Sequence, residues 1–183
     1  MASFVAFLRG MNVGGHRLTN DELRGHFQTL GFSDVATFRA SGNVIFAGDE
    51  RSVEDVVRHI EQGLEPLLGY AVPTFIRSAA EVRAIAALQP FPAERVASAA
   101  GKLQVSLLSD IPGKAVREEV LALAGDGDGD ALAFAGQELY WLPSGGLLES
   151  PLDLERIDRL LGPSTRRTKG TIELIASKHC AAG

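Results

Sequence analysis

The sequence predicts an α+β protein of two ferredoxin-like lobes, each a split-βαβ plait with an antiparallel sheet and helices on one face. Three observations predict it. Short apolar runs alternate with helical stripes in the order β-α-β-β-α-β through residue 78. Serine and threonine capping signals stand at the head of those stripes. From residue 102 the order β-α-β-β-α begins again.

Phe4 to Arg9 reads as the first strand and ends in the turn Gly10-Met11-Asn12-Val13-Gly14-Gly15. Thr19, with Glu22 three residues on, forms a capping box that opens the first helix. Leu23, Phe27 and Leu30 are its apolar stripe, and Gly31 ends it. Val35 to Arg39 and Asn43 to Ala47 are strands two and three, joined through Ser41-Gly42. Ser52, with Asp55, heads a second helix faced by Val53, Val56, Val57, Ile60 and Leu64; Pro66 and Gly69 bring it to a close. Val72 to Arg77 is the fourth strand. Right-handed crossovers then place two helices on one face of a four-stranded antiparallel sheet. Ser78, with Glu81, opens a third helix that Pro90 and Pro92 break, and Ala93 to Ala99 adds another turn or two.

In the second lobe Lys102 to Leu108 is a strand. A helix follows Pro112, with Val116, Val120, Leu121 and Leu123 inward. Ala131 to Ala135 and Glu138 to Leu142 form a hairpin. Ser150-Pro151-Leu152-Asp153 starts another helix, with proline at its favoured first position. Leu154, Ile157, Leu160 and Leu161 are its core face. No clear final strand follows, and Thr171 to Lys178 reads as a short C-terminal helix. The expected organisation is a ferredoxin-like domain over 1–78, a helical connector over 79–100, and a second plait-like domain with a C-terminal helix over 101–183. The lobes share topology and no obvious sequence repeat.

Composition bounds the function. The chain has 183 residues, 45% hydrophobic and 22% charged, which is enough for a core without staples and too apolar for disorder. A single cysteine, Cys180, excludes an intramolecular disulfide and a cysteine metal cluster. The net charge of −5 argues against a nucleic-acid backbone binder while leaving room for one local anion site. No run reaches the ~20 apolar residues of a membrane span. The opening Met1 to Leu8 lacks a basic flank and Arg9 interrupts it, so the expected location is cytoplasmic.

The run Leu8-Arg9-Gly10-Met11-Asn12-Val13-Gly14-Gly15, followed by Ser41-Gly42-Asn43-Val44-Ile45-Phe46, resembles a bacterial domain-of-unknown-function family, number 1697. Its members open with L-R-G-I-N-V-G-G and carry S-G-N-V-x-F on a later strand. The resemblance continues through Gln137-Glu138-Leu139-Tyr140-Trp141 and ends at Thr165-Arg166-Arg167 and Thr171. It implies tandem α/β plaits and no assigned activity, substrate or catalytic residue. Thr168-Lys169 stands where members often show Asn-Trp, so no role of that aromatic carries over.

Three sets of residues are candidates for ligand contact. The first is Arg9, Asn12, Gly14, Gly15 and His16. Glycines let a backbone approach a ligand, and an arginine at a strand end holds a carboxylate or phosphate with two bonds. The spacing G-x-x-x-G-G is neither Walker nor Rossmann, and a purely structural loop is the competing reading. The second set is Arg39, Ser41, Asn43 and Arg77. If strands one and three run opposite to two and four, these gather at one end of the sheet. The Arg9 loop then lies ~20 Å away at the other end. Its competing reading is a hairpin turn with solvated arginines. The third set is Arg166, Arg167 and Lys169 before a helix that Thr171 caps, where cations beside free N–H groups suggest an intervening anion.

Other features carry less. Asp126 to Asp130 lacks the glycine and glutamate of a calcium loop, and no metal is expected there. His16, His26, His59 and His179 show no ligand spacing, and His26 and His59 fall on solvated helix faces. Phe4, Phe38, Phe46 and Phe75 read as core rather than an RNA platform, because the basic stripe is missing. The residues therefore support first a small-ligand or anion-binding protein, with its site at the Arg9–Gly15 loop or between the lobes. The alternative is a non-catalytic interaction module using the sheet face that plait helices leave open, with a homo-oligomer as one form of it. A small-metabolite enzyme comes third, since no nucleophile–base pair is visible and no cofactor is implied.

Overall fold

The computed structural model describes residues 3–11, 18–39, 42–48, 51–125, 127 and 129–180. The chain divides into two compact units, Met1–Ala84 with Ile175–Gly183, and Ile85–Leu174.

In the first unit β1 (Ser3–Leu8), β2 (Ser33–Thr37), β3 (Asn43–Ala47) and β4 (Thr74–Ser78) form a sheet in the order β2-β3-β1-β4. Every neighbouring pair is antiparallel. Helices α1 (Asn20–Thr29) and α2 (Val53–Leu68) cover one face. Strand alternation splits the side chains. Ala6, Leu8, Val44, Phe46 and Ile76 join Leu23, Phe27, Ile60 and Leu64 in the helix-side core. Val5, Phe7, Ile45, Phe75 and Arg77 lie on the opposite face.

The capping signals form as read. The Thr19 hydroxyl accepts from Glu22 N at 3.2 Å, and Thr19 N donates back to Glu22 Oε2 at 2.8 Å. The Ser52 hydroxyl accepts from Asp55 N at 3.1 Å. Pro66 does not end α2. It sits within the last turn, where its missing N–H costs one bond, and left-handed Gly69 (φ 76°) closes the helix.

In the second unit β5 (Gln104–Leu108), β6 (Ala131–Ala135), β7 (Glu138–Leu142) and β8 (Ser164–Thr168) repeat the pattern as β6-β7-β5-β8, again antiparallel throughout. A final strand is therefore present. Ser-Thr-Arg-Arg-Thr hides it because it has no apolar alternation, and pairing along β5 makes it a strand. Val120 of α5 (Lys114–Ala122) and Ile157 of α6 (Leu154–Leu161) pack on Leu139 and Trp141. Leu121 points outward and is exposed. α6 starts at Leu154, three residues later than Ser150-Pro151 suggests, with the Asp153 carboxylate accepting from Arg156 N.

The units share register as well as order. Val5 of β1 lies opposite Ile45 and Arg77; Val105 of β5 lies opposite Tyr140 and Arg167. Each fourth strand runs directly into a helix, α3 (Ala79–Ala87) or α7 (Lys169–His179). α4 (Ala93–Ser98) precedes β5.

Candidate functional site

Arg9 of the first candidate set and Arg39 and Asn43 of the second lie at one end of the β1 sheet. The β1–α1–β2 crossover makes β1 and β2 parallel, and β3 and β4 run against both. The expected strand directions were therefore wrong. Phe7 pairs with Asn43, Leu8 N donates to Gly42 O at 2.8 Å, and Arg9 N donates to Pro73 O at 2.9 Å. Arg9 and the β2–β3 turn are neighbours rather than ~20 Å apart at opposite ends. Arg77 leaves the second set, because it pairs with Val5 further back along β1. It is buried, and its Nη1 donates to Ile76 O at 2.8 Å.

At the shared end Arg9 is exposed, Gly10 adopts φ 74° and Met11 is buried. Asn12, Gly14, Gly15, His16 and Ser41 lie outside the described residues. Gly42 has φ 70°, and a Cβ there would stand 2.7 Å from Met11 Cγ and 3.0 Å from Leu8 Cβ. Only glycine permits this approach of the turn to the end of β1. Asn43 is fully buried and its Nδ2 donates to Phe38 O at 2.9 Å, so it fastens the turn from inside.

Arg39 is exposed and left-handed at φ 57°, a conformation that costs a non-glycine residue on the order of 1 kcal/mol. Its guanidinium carbon is 5.5 Å from the Phe38 ring centre. Lys178 Nζ is 5.7 Å from the same centre, and the His179 ring meets Phe38 edge-on at 5.8 Å. Arg83 Nη1 holds the Cys180 carbonyl at 2.7 Å and ties this C-terminal segment to the first unit. Lys178 and His179 were not legible in sequence as site residues; only the fold brings them to Phe38.

The third set is dispersed by strand alternation. Arg166 turns to the helix side of its sheet. Its guanidinium carbon is 5.0 Å from the Trp141 ring centre, its Nε donates to Ser106 Oγ at 3.2 Å, and Asp158 lies 3.9 Å from Nη2. Burial lowers its pKa, against the pull of Asp158. Arg167 turns the other way, with Nη1 on Thr165 Oγ1 at 2.9 Å and Arg166 O at 2.8 Å. Burial pushes its guanidinium down to about 10. Lys169 is buried, with Nζ on Ala86 O at 2.7 Å and Glu173 Oε1 at 2.6 Å, so it closes the last turn of α3. Thr168, not Thr171, caps α7: its Oγ1 accepts from Thr171 N at 3.2 Å.

Other polar groups are structural. Both Asp130 carboxylate oxygens are engaged, one by Ser144 N and Oγ at 2.8 Å, the other by Trp141 Nε1 at 2.8 Å and Ser150 Oγ at 2.6 Å. Burial raises its pKa, but these bonds outweigh burial and hold the carboxyl below its ordinary value. His59 is not solvated: its Nε2 lies 2.8 Å from Leu30 O and its ring meets Phe32. Val5, Phe7, Ile45 and Phe75, like Val105, Leu107 and Tyr140, are buried on the faces opposite the helices. Among the described residues no group of three or more His, Cys, Asp or Glu could hold a metal, and no helix is long and apolar enough to cross a membrane.

Two four-stranded plaits in tandem, with a basic cluster at the end of the first sheet, define the class as a tandem α/β-plait protein. The chain belongs to the family described as "Protein of unknown function (DUF1697)", whose model matches residues 1–140. It is similar in fold to the conserved bacterial protein SP0830 from Streptococcus pneumoniae, with a TM-score of 0.68, 19% identity and 97% of each chain covered. No curated protein matches the sequence significantly.

Proposed function

We propose that the protein binds a small phosphate-bearing ligand at the end of the first sheet, where β1 runs into Arg9 and the β2–β3 turn returns beside it. The observation that carries this reading is the gathering of Arg39, Lys178 and His179 around one half-buried phenylalanine, Phe38, in a chain of net charge −5. Arg39 and Lys178, two cations on one ring, repel one another, and an anion between them relieves that repulsion. Arg9 stands on the same sheet end, roughly 10 Å across two strand spacings. Arg39 in its left-handed conformation and the close Gly42 turn support the reading, since strain of this kind collects at binding sites. Asn43 and Gly42 shape the turn, and Arg39, Lys178 and Arg9 supply the charge.

The test is thermal melting with inorganic phosphate at constant ionic strength. At 100 times the dissociation constant, binding adds ~2.7 kcal/mol. For a chain of this size that raises the melting temperature by roughly 5–10 °C. Arg39→Ala and Lys178→Ala each weaken binding about tenfold. Absence of stabilisation by phosphate, or variants with the wild-type midpoint, contradicts the proposal.

A further inference from the structure

We propose that Arg166 heads a second ligand site, on the helix side of the β5–β8 sheet, and that its ligand is a small monocarboxylate. The first unit serves as an internal control. By register Arg166 opposite Ser106 occupies the position of Ile76 opposite Ala6, and Gln104 opposite Thr168 that of Phe4 opposite Ser78. In the first unit this strip is apolar at three of its four positions: Ala6 and Ile76 belong to the core, with Phe4 packed against it. In the second unit it is polar, and Gln104 and Ser106 are only 4% and 3% exposed. The helices differ in the same sense, since α2 has 16 residues and α6 has 8. A polar strip under a shortened helix is costly as a core and useful as the floor of a binding site.

Arg166 keeps donors to spare beside its ion pair with Asp158. Its side chain is 29% exposed, so it is open to solvent. It lies over the face of Trp141, whose Nε1 is fixed on Asp130. Of its five N–H donors, Nε is bonded to Ser106, and Asp158 at 3.9 Å is beyond hydrogen-bond reach. The Nη edge is thus available for a two-bond contact with a planar carboxylate. Ser106 Oγ accepts from Arg166, which leaves its own proton free to donate to the same ligand. Asp158 sets the charge: beside one arginine and one carboxylate, a monoanion is tolerated and a dianion is repelled.

Trp141 is the single tryptophan, so its emission reports on this site alone. The experiment titrates the full chain with sodium propionate at ionic strength held constant with chloride. The expected result is a saturable change in Trp141 emission. Arg166→Met weakens it at least tenfold, Ser106→Ala weakens it about threefold, and inorganic phosphate does not reproduce it. Arg39→Ala keeps the propionate response, which separates this site from the one at the end of the first sheet. A response no different from chloride, or an unchanged midpoint in Arg166→Met, overturns the proposal. Should Arg166→Met fail to fold, Ser106→Ala decides: a wild-type midpoint overturns it.

Discussion

Replacing Asp130 by alanine removes the acceptor on which Trp141, Ser144 and Ser150 converge. The buried Trp141 N–H loses its partner outright, at about 1–3 kcal/mol. The serine groups are partly buried and recover some hydration, so their loss adds about 1–2 kcal/mol together. A total of about 2–5 kcal/mol lowers the melting temperature by roughly 4–20 °C at 2–4 °C per kcal/mol. Asp130→Asn keeps the shape but turns an NH2 toward two donors, and costs about half as much. The pH dependence has a definite sign. The folded-state pKa is lowered, so the stabilisation is full above the unfolded value near 3.9 and is lost as pH falls through the folded value. The gap between wild type and Asp130→Ala therefore narrows only below about pH 4. Circular dichroism melts from pH 3 to pH 8, with and without calcium, are the assay. An alanine variant that melts with the wild type at pH 7 refutes the reasoning. So does a comparable stabilisation of the wild type by calcium, which would make Asp130 a metal ligand instead.

Two further outcomes follow from the same structure. Gly42→Ala must accept φ 70° and a Cβ 2.7 Å from Met11 Cγ, so it destabilises by about 2–3 kcal/mol and weakens phosphate binding with it; equal denaturation midpoints contradict this. Cys180 is 1% exposed, and burial raises its thiol pKa despite the nearby Arg83. Iodoacetamide at pH 8 should label it at least ~100-fold more slowly in the native protein than in denaturant, read by mass on the chain's single thiol; equal rates contradict its burial.

Local signals carried most of the fold. The capping box at Thr19, the cap at Ser52 and the hairpin from Ala131 to Leu142 form as their residues suggest, because each rests on contacts within a few positions. β8 was hidden because Arg166 and Arg167 answer to β5, about sixty residues away, rather than to a local pattern. The site was legible in its parts and not in its assembly. Arg9, Arg39, Gly42 and Asn43 stand out in sequence, yet their meeting depends on strand direction, which the crossover helix sets and residue patterns do not encode. Lys178 and His179 gave no signal, since a lysine and a histidine near a chain end are ordinary until the fold brings them to Phe38. The third set is split for a simpler reason: adjacent strand residues face opposite ways.

An amide-resolved NMR titration with inorganic phosphate tests the anion site most directly. The account predicts saturable shifts with one dissociation constant at Leu8 to Met11, Phe38, Arg39, Gly42, Asn43 and Lys178 to Cys180, all abolished together in the Arg39→Ala/Lys178→Ala double variant. Shifts confined to other surfaces, or no saturation at these amides, would contradict it.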